Sequence, residues 1–432
     1  MRIIGANVKI ISDSRGKETL EAGLRSDNFF TSASVPAGKS IGTHEVFVLE
    51  PEKAIEKLEE IKSEILKKEC RTQEEFDNFL ISLDGTENKK NLGGNLILSL
   101  SLAWARLKAK EEGLELFEYI NNIFPGSVTI KAPHPIFNVN NGGAHAKNKL
   151  DFQEFQVIPT TEDFNIAFSI GREYYRKLKK VLDEKFGEEN IILGDEAGYS
   201  APFKTNEEAL EIMADLIAKN NHPLRIGLDV AASQYYINAD SRGLNTDRRG
   251  RGSCYKVSGK EYSAEELKEY YLKLIEAYNI LSIEDPFFEE DFDSFAELTK
   301  EIKKFDGAID FKNLKGAHKI YPKENGRLVI TDDLTTTNPV RLRTAIEKKS
   351  GNAILVKLNQ IGTLTETLKV VKMAYENNWQ IVVSHRSGET MDDFIADLAV
   401  GVGAWGLKAG APGKPERLAK YERVLKILEH ET

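Results

Sequence analysis

Between Arg327 and Gly410 the sequence repeats one pattern four times: RLVITDD (327–333), AILVKLN (353–359), QIVVSHRSGE (380–389) and AWGLKAG (404–410). Each run is short and apolar, most are rich in Ile or Val, and each is followed by a segment with apolar residues at helical spacing. Strands that alternate with amphipathic helices in this way predict βαβ units and a parallel sheet.

Charged residues lie at or near the ends of these runs and of two similar runs upstream. They are Asp229, Glu284, Asp285, Asp332, Lys357, His385, Arg386 and Lys408. Roughly eight strands fit between His134 and Gly410, enough for one closed (β/α)₈ TIM-type barrel, in which the strand ends converge on the catalytic face. Because clustered charges cost free energy unless they are paired or hold a metal, we expect a functional site at that face.

The N-terminal part of the chain reads differently, with three strand-like runs first and three to four helical segments after them. This order predicts a separate α+β domain over residues 1–126, followed by the barrel over 127–432. The Phe-Pro-Gly-Ser at 124–127 is typical of a linker. PAGKSIGTHE (36–45) is a candidate mobile loop, although its composition also fits a plain connector.

Composition excludes several classes of protein. The chain has 432 residues, 41% of them hydrophobic, and a net charge of −9, so nonspecific binding to nucleic acid is not expected. No apolar run approaches the roughly 18 residues of a membrane span, and the N-terminus lacks the apolar core of a signal peptide. With only two cysteines, the chain is expected to be cytoplasmic.

The three carboxylates at strand ends suggest a metal site. Asp229, Glu284 and Asp332 are hard oxygen donors, which suit Mg²⁺ with water or substrate completing the octahedron. Any one of them alone could instead be a helix N-cap. Their recurrence in successive strand–helix units favours the metal interpretation.

Other polar residues suggest acid–base chemistry and anion binding. Lys357 ends an apolar run, and a divalent ion together with Lys408 would lower its pKa and make it a general base; it could also be an edge-strand lysine. Arg386 and Ser387 suit a phosphate, or a polar turn. His145 could donate to substrate or be structural, and Glu196 in GDEAGYSAPF could simply cap a turn.

At this point the ordered motifs resemble those of the enolase family over essentially the full length of the chain. The matching stretches are LGGNLILSLSLA, NGGAHAKNKLDFQEF, GDEAG, LDVAAS, SIEDPF, DDLTTTNP, VKLNQIGTLTET, SHRSGET, FIADLAVG, GLKAGAP and ERLAKYERVL. The resemblance implies an N-terminal α+β domain joined to a modified (β/α)₈ barrel whose second strand runs antiparallel. It also implies a homodimer or homo-octamer.

The resemblance further implies reversible dehydration of 2-phosphoglycerate to phosphoenolpyruvate with two Mg²⁺ ions per active site, the second bound with substrate. By matching position, the implied metal ligands are Asp229, Glu284 and Asp332 for the first ion and Ser40 for the second. The implied catalytic residues are Lys357 as base and Glu196 as acid, supported by Glu154 and His145. The implied substrate-binding residues are Gln153, His145, Lys357, His385, Arg386, Ser387 and Lys408.

The chain also departs from the family pattern. The loop that usually reads SGASTG reads AGKSIG here, with Ala37, Lys39 and Ile41 as replacements, and Ala197 stands where the acid loop usually has Gly. These changes leave two alternatives: another superfamily member, such as an acid-sugar dehydratase or racemase, or a catalytically silent homologue with a binding role. The intact HRSGET motif and the Lys357–Lys408 pair favour the enolase reaction.

Overall fold

A computed structural model describes residues 1–38, 44–238, 253–305 and 326–430. Ser40, Lys39 and Ile41 of the AGKSIG loop lie outside these ranges, so the expectations for them stay predictions. Among the described helices, none is long and apolar enough to cross a bilayer.

The N-terminal part begins with a three-stranded antiparallel meander and continues with four helices, as predicted. The strands are β1 (Gly5–Ser12), β2 (Glu18–Arg25) and β3 (Phe30–Ser34). The helices are α1 (Pro51–Lys67), α2 (Gln73–Asp84), α3 (Gly94–Glu112) and α4 (Leu116–Ile123). The boundary between this part and the barrel at residue 126 stays a prediction.

Helix N-termini follow their sequence signals, with one difference. Ser263 and Glu266 form a complete capping box, each side chain bonding the other's backbone N–H. Thr72 accepts from the Glu75 N–H, but the Glu75 carboxylate accepts from Arg71 rather than from Thr72. The capping box that the Thr-x-x-Glu sequence at 72–75 would allow at α2 is therefore only half formed, because the carboxylate bonds one residue further back.

The remaining strands and helices build the barrel and its additions. The strands are β4 (His134–Asn141), β5 (Glu154–Pro159), β6 (Ile192–Leu193), β7 (Tyr199–Ser200), β8 (Leu224–Asp229), β9 (Tyr236–Ile237), β10 (Cys254–Val257), β11 (Lys260–Tyr262), β12 (Ser282–Glu284), β13 (Leu328–Thr331), β14 (Ala353–Val356), β15 (Gln380–Ser384) and β16 (Gly406–Lys408). The helices are α5 (Phe164–Phe186), α6 (Asn206–Asn220), α7 (Ala264–Tyr278), α8 (Phe292–Ile302), α9 (Pro339–Lys348), α10 (Leu358–Ile361), α11 (Leu364–Glu376), α12 (Phe394–Gly401) and α13 (Pro415–His430).

Eight of these strands close into a barrel in the order β4-β5-β8-β12-β13-β14-β15-β16, with β16 pairing back to β4. The second strand, β5, runs antiparallel to both of its neighbours, and the other pairs are parallel. The modified (β/α)₈ barrel is therefore confirmed. The plain strand–helix rhythm predicts an all-parallel barrel and is wrong at β5; only the family resemblance anticipates the reversal.

The barrel encloses its own apolar cluster, which includes Ile158, Leu328, Ile330, Ala353 and Leu355. Their strand neighbours face outward and belong to the larger core beneath the helices, as Ile354 and Val356 do on β14. Because side chains alternate along a strand, each inward row continues toward the mouth of the barrel.

Asp77 on α2 connects the N-terminal part to the barrel. Its side chain is fully buried and accepts hydrogen bonds from the Thr365 N–H and from Gln73 Nε2, both at 2.9 Å. Burial raises the pKa of Asp77 to about 6. Since the unfolded carboxyl titrates near pH 4, the native state holds the extra proton between these values, and this group lowers stability as pH rises through that window.

We therefore expect the unfolding free energy of Asp77→Asn to improve relative to wild type by about 3 kcal/mol between pH 4 and pH 7. The comparison uses denaturant unfolding of both proteins at each pH, so other titrating groups cancel. Asp293→Asn, at an exposed carboxylate on α8, is the control and should show no such drift. A difference that stays constant with pH would contradict the burial argument.

Candidate active site

Strand alternation brings the polar residues into the mouth of the barrel. On β13 the inward residues Leu328 and Ile330 are followed two positions later by Asp332, and on β14 Ala353 and Leu355 lead to Lys357. The reversed strand β5 enters from the opposite direction, so Glu154 stands at its start rather than at its end. The result is a polar layer above an apolar barrel interior.

Lys408 is the charge centre of this layer. Its Nζ lies 2.7 and 2.8 Å from the two Glu284 carboxylate oxygens, 3.1 Å from Asp229 Oδ2 and 3.1 Å from Glu154 Oε2. All four side chains are buried. Burial would lower the pKa of Lys408, but the surrounding carboxylates outweigh it and raise that pKa well above the ordinary value. Lys408 is therefore a permanent cation.

Lys357 forms an ion pair with Asp332, whose other oxygen accepts from Gln360 Nε2. Burial would lower the pKa of Lys357, yet the Asp332 carboxylate raises it above the ordinary value. The prediction of a lowered Lys357 pKa assumed a bound divalent ion together with Lys408. In this structure Asp332 pairs directly with Lys357, and the pKa is raised instead. The alternative of an edge-strand lysine is wrong, because β14 pairs on both sides.

Glu154 and Glu196 are both fully enclosed and face each other near two histidines. His145 Nδ1 lies 3.8 Å from Glu154 Oε1, and His385 Nε2 lies 3.3 Å from Glu196 Oε2. Burial and the neighbouring carboxylates raise the pKa of Glu154 well above its usual range. Burial also acts to raise the pKa of Glu196, but its polar neighbours hold that pKa well below the usual range.

The difference between the two carboxyls has a simple origin. Glu196 Oε2 accepts a hydrogen bond from Asn138 Nδ2 at 3.0 Å and faces His385, whereas Glu154 lies among other carboxylates. The implied role of Glu196 as the acid needs a proton on that carboxyl, and these neighbours act against it, so the role stays a prediction. The pKa directions favour a proton on Glu154 over one on Glu196.

Arg386 offers a guanidinium fork to an anion, and here that anion is Glu45. Its Nη1 and Nη2 lie 3.0 and 3.1 Å from the two Glu45 oxygens, a bidentate pair, while Asn359 Oδ1 accepts a further bond from Nη1. The Ser387 hydroxyl faces Arg15 Nη1 at 3.4 Å. The N-terminal part of the chain thus supplies side chains that contact Arg386 and Ser387.

Every predicted site residue in the described ranges lines one polar cavity of about 90 Å³ or contacts its lining. The lining includes His145, Gln153, Glu154, Glu196, Asp229, Asp332, Lys357, His385, Arg386, Ser387 and Lys408. Gln153 donates to Asp229 Oδ2 at 3.3 Å, and Glu284 reaches the site through Lys408. Ser40, the expected ligand of a second ion, lies outside the described residues.

Three further carboxylates line the cavity: Asp285, which the sequence marks only as a charge at a strand end, and Glu45 and Asp333, which sequence reasoning missed. Asp285, Asp332 and Asp333 bring their oxygens within 4.8 Å of one another. Asp285 has a left-handed backbone, φ +43°, and accepts from the N–H groups of Asp332 and Asp333. The second acidic residue of SIEDPF and of TDD is the signal for Asp285 and Asp333, whereas Glu45 lies outside both motifs and has no comparable signal.

The donor set fits a hard cation. The cavity is lined by seven carboxylates and three cationic side chains, so negative charge is in excess. Burial, with further repulsion from Asp229, raises the pKa of Glu284 well above its usual range, and burial beside Asp332 raises that of Asp333 to about 7. A cation of the Mg²⁺ type would relieve this repulsion, because it prefers carboxylate oxygens.

A closed barrel with one reversed strand, carrying a lysine and a carboxylate cluster at its mouth, defines a barrel enzyme built for acid–base chemistry on an anion. The family model described as "Enolase, N-terminal domain" matches residues 3–120, and "Enolase, C-terminal TIM barrel domain" matches residues 129–311 and 307–432. The chain belongs to the enolase family, and its enzyme class is phosphopyruvate hydratase.

Curated relatives agree with the family models. The protein named "Enolase" of Methanocaldococcus jannaschii is 39% identical over 96% of this chain and 92% of its own length. "Enolase B" of Dictyostelium discoideum is 38% identical over 99% of this chain and 95% of its own, and "Enolase 2" of Hevea brasiliensis is 38% identical with the same coverage. The similarity therefore extends over both parts of the fold.

The Glu45–Arg386 pair generates a prediction about anion binding. Glu45→Gln removes the charge that now satisfies the guanidinium fork, so we expect inorganic phosphate to bind about fivefold more tightly. The dissociation constant can be measured by calorimetry. Glu290→Gln is the matched control, because Glu290 pairs with Arg341 and His44 just outside the site. Weaker phosphate binding by Glu45→Gln would show that Glu45 orients Arg386 instead.

Proposed function

We propose that this chain catalyses the reversible, Mg²⁺-dependent dehydration of 2-phosphoglycerate to phosphoenolpyruvate, a step of glycolysis and gluconeogenesis. The observation that carries the proposal is the meeting of Lys357, the Glu154–Glu196 pair and the Arg386–Ser387 site around one cavity. The reaction needs a base, an acid and a phosphate anchor, and family membership makes their combination specific. We also propose a cytoplasmic homo-oligomer, on the family resemblance alone.

Asp229, Glu284 and Asp332 would hold the first Mg²⁺, and Ser40 is proposed as a ligand of the second on the resemblance alone. When bound, Mg²⁺ supplies positive charge that stabilises the doubly charged carboxylate formed on proton loss. A lysine base beside one or two Mg²⁺ ions is the arrangement already established for the enolase superfamily. Lys408, as a permanent cation, adds to the stabilisation of this carboxylate.

Lys357 is proposed to take the proton next to the substrate carboxylate. It must be neutral to act as a base, and its ion pair with Asp332 opposes this. A cation bound to the Asp332 carboxylate would weaken that ion pair. The remaining influence of Arg386 and Lys408, both of which lower the pKa of Lys357, would then be felt more strongly. The ability of Lys357 to act as a base thus depends on whether the charge of the Asp332 carboxylate is neutralised.

The Glu154–Glu196 pair is proposed to deliver the proton to the departing hydroxyl. The pKa directions favour a proton on Glu154, and Glu196 is the member that Asn138 bonds and His385 faces. Gln153, His145 and His385 complete the substrate-binding wall, with Arg386 and Ser387 at the phosphate.

Replacement of the proposed base tests the reaction directly. Lys357→Ala should retain less than about 1% of the rate of phosphoenolpyruvate formation, because general-base catalysis contributes on the order of 10²–10⁴-fold. Absorbance of the product reports turnover, and a chelator followed by excess Mg²⁺ should remove and then restore the wild-type signal. Lys372→Ala, at a half-buried lysine on α11 that pairs with Glu376 away from the site, should behave as wild type. Retention of several per cent of activity by Lys357→Ala would refute the assignment.

The acid and the base can be separated by isotope exchange. Glu196→Gln should still exchange the substrate α-proton with deuterated solvent while forming product at least about 100-fold more slowly, because only the later proton delivery is impaired. Lys357→Ala should do neither. Proton NMR of 2-phosphoglycerate measures the exchange, and loss of exchange in Glu196→Gln would contradict the division of roles.

A further inference from the structure

Arg417 on α13 lies directly behind the candidate site and has no place in the mechanism above. Its side chain is fully buried. Nη1 lies 2.5 Å from His385 Nδ1 and donates to the Arg386 carbonyl at 2.8 Å, while Nη2 donates to the Ser387 carbonyl at 2.7 Å and the Asp195 carbonyl at 3.2 Å. One guanidinium therefore bonds two loops of the site.

These contacts are unusual for a buried arginine. Within the described part of the chain, its only ion-pair contact is Glu416, whose Oε1 lies 3.6 Å from Nε. A guanidinium buried at this depth is costly without a carboxylate, and here neutral carbonyls and an imidazole satisfy both Nη atoms. A residue that served only to stabilise the helix would be better placed in an ion pair, as Arg423 is with Asp397 on the same helix.

The contact with His385 determines where the imidazole proton sits. Burial lowers the pKa of His385 to about 4, so the ring is neutral near pH 7 and carries a single N–H. A guanidinium has only donors, so His385 Nδ1 must accept. The proton is consequently on Nε2, which faces Glu196 Oε2 at 3.3 Å.

The contact with Asp195 acts on the other partner. Three consecutive carbonyls of the acid loop are held: Asp195 by Arg417, Glu196 by the Ala411 N–H at 2.9 Å, and Ala197 by the Tyr175 hydroxyl at 2.5 Å. Arg417 therefore fixes both the histidine that faces Glu196 and the backbone that carries Glu196.

We propose that Arg417 is a positioning residue that sets the His385 tautomer with its proton on Nε2 and thereby presents a donor to Glu196. This inference deepens the proposed function and rests on it. Arg417 contacts neither the reacting atoms nor the carboxylates at which a metal is expected. Its effect passes through His385 and through the backbone of the acid loop.

The first test reads the His385 tautomer directly and needs no enzyme activity. Full-length protein carrying ¹⁵N-labelled histidine has seven histidines, and the His385→Gln spectrum assigns the signal of His385. We expect an unprotonated Nδ1 and a protonated Nε2 in the wild type. A protonated Nδ1 overturns the proposal whether or not the protein turns over 2-phosphoglycerate, so this failure is distinct from a failure of the proposed function.

The second test compares matched variants of α13. Arg417→Met should lower kcat on the order of 100-fold, with a smaller change in KM, because misplacing a proton-transfer group has effects of this size. Arg423→Met removes the Asp397 and Glu115 ion pairs of the same helix and should keep wild-type kcat even where it lowers the melting temperature. Arg417→Lys, which keeps a donor, should recover part of the loss and show a His385 spectrum nearer to wild type.

The kcat values of these variants separate a positioning role of Arg417 from a purely structural one. A folded Arg417→Met with kcat within threefold of wild type overturns the proposal, and so does an equal loss of kcat in Arg423→Met. If Arg417→Met does not fold, Arg417→Lys decides: a kcat loss of more than about tenfold in a folded protein supports positioning, and wild-type kcat overturns it.

Discussion

The ammonium of Lys408, surrounded by Glu154, Asp229 and Glu284, is the contact on which the rest of the site depends. Three buried carboxylates from two parallel strands and one reversed strand converge there, and without a cation their mutual repulsion would be uncompensated. Because β5 is reversed, Glu154 pairs across from Asp229 at the mouth and completes the ring of charge. The reversed direction of β5 and the high density of charge at the barrel mouth are thus connected, because the reversal brings Glu154 to Lys408.

Much of this arrangement could be predicted from the sequence, because a strand's two-residue period is local information. The period carries Leu328 and Ile330 to Asp332, and so identifies the mouth of the barrel without coordinates. The opposite pKa shifts of Glu154 and Glu196 could not be predicted in this way, since the two residues are far apart in sequence and meet only in space. The same limit explains the omission of Glu45, which reaches Arg386 from another part of the fold.

The acid loop shows how a departure from the family pattern is accommodated. Ala197 has a left-handed backbone, φ +67°, which costs an alanine about 1 kcal/mol that a glycine would avoid. The residue is fully buried, and its carbonyl accepts from Tyr175, whose ring stacks on Tyr199. The surrounding packing holds the strained conformation, so the loop keeps its shape with a less permissive residue beside Glu196.

The bidentate contact between Glu45 and Arg386 has a consequence for the two parts of the fold. Glu45 and a substrate phosphate would use the same donors, so their occupancies are thermodynamically linked. The factor by which Glu45 weakens anion binding at Arg386 equals the factor by which a bound anion weakens the Glu45–Arg386 contact. If Arg386 binds the substrate phosphate as proposed, Glu45 is an internal competitor for that anion, much as a tethered inhibitor sets the threshold concentration at which its target responds.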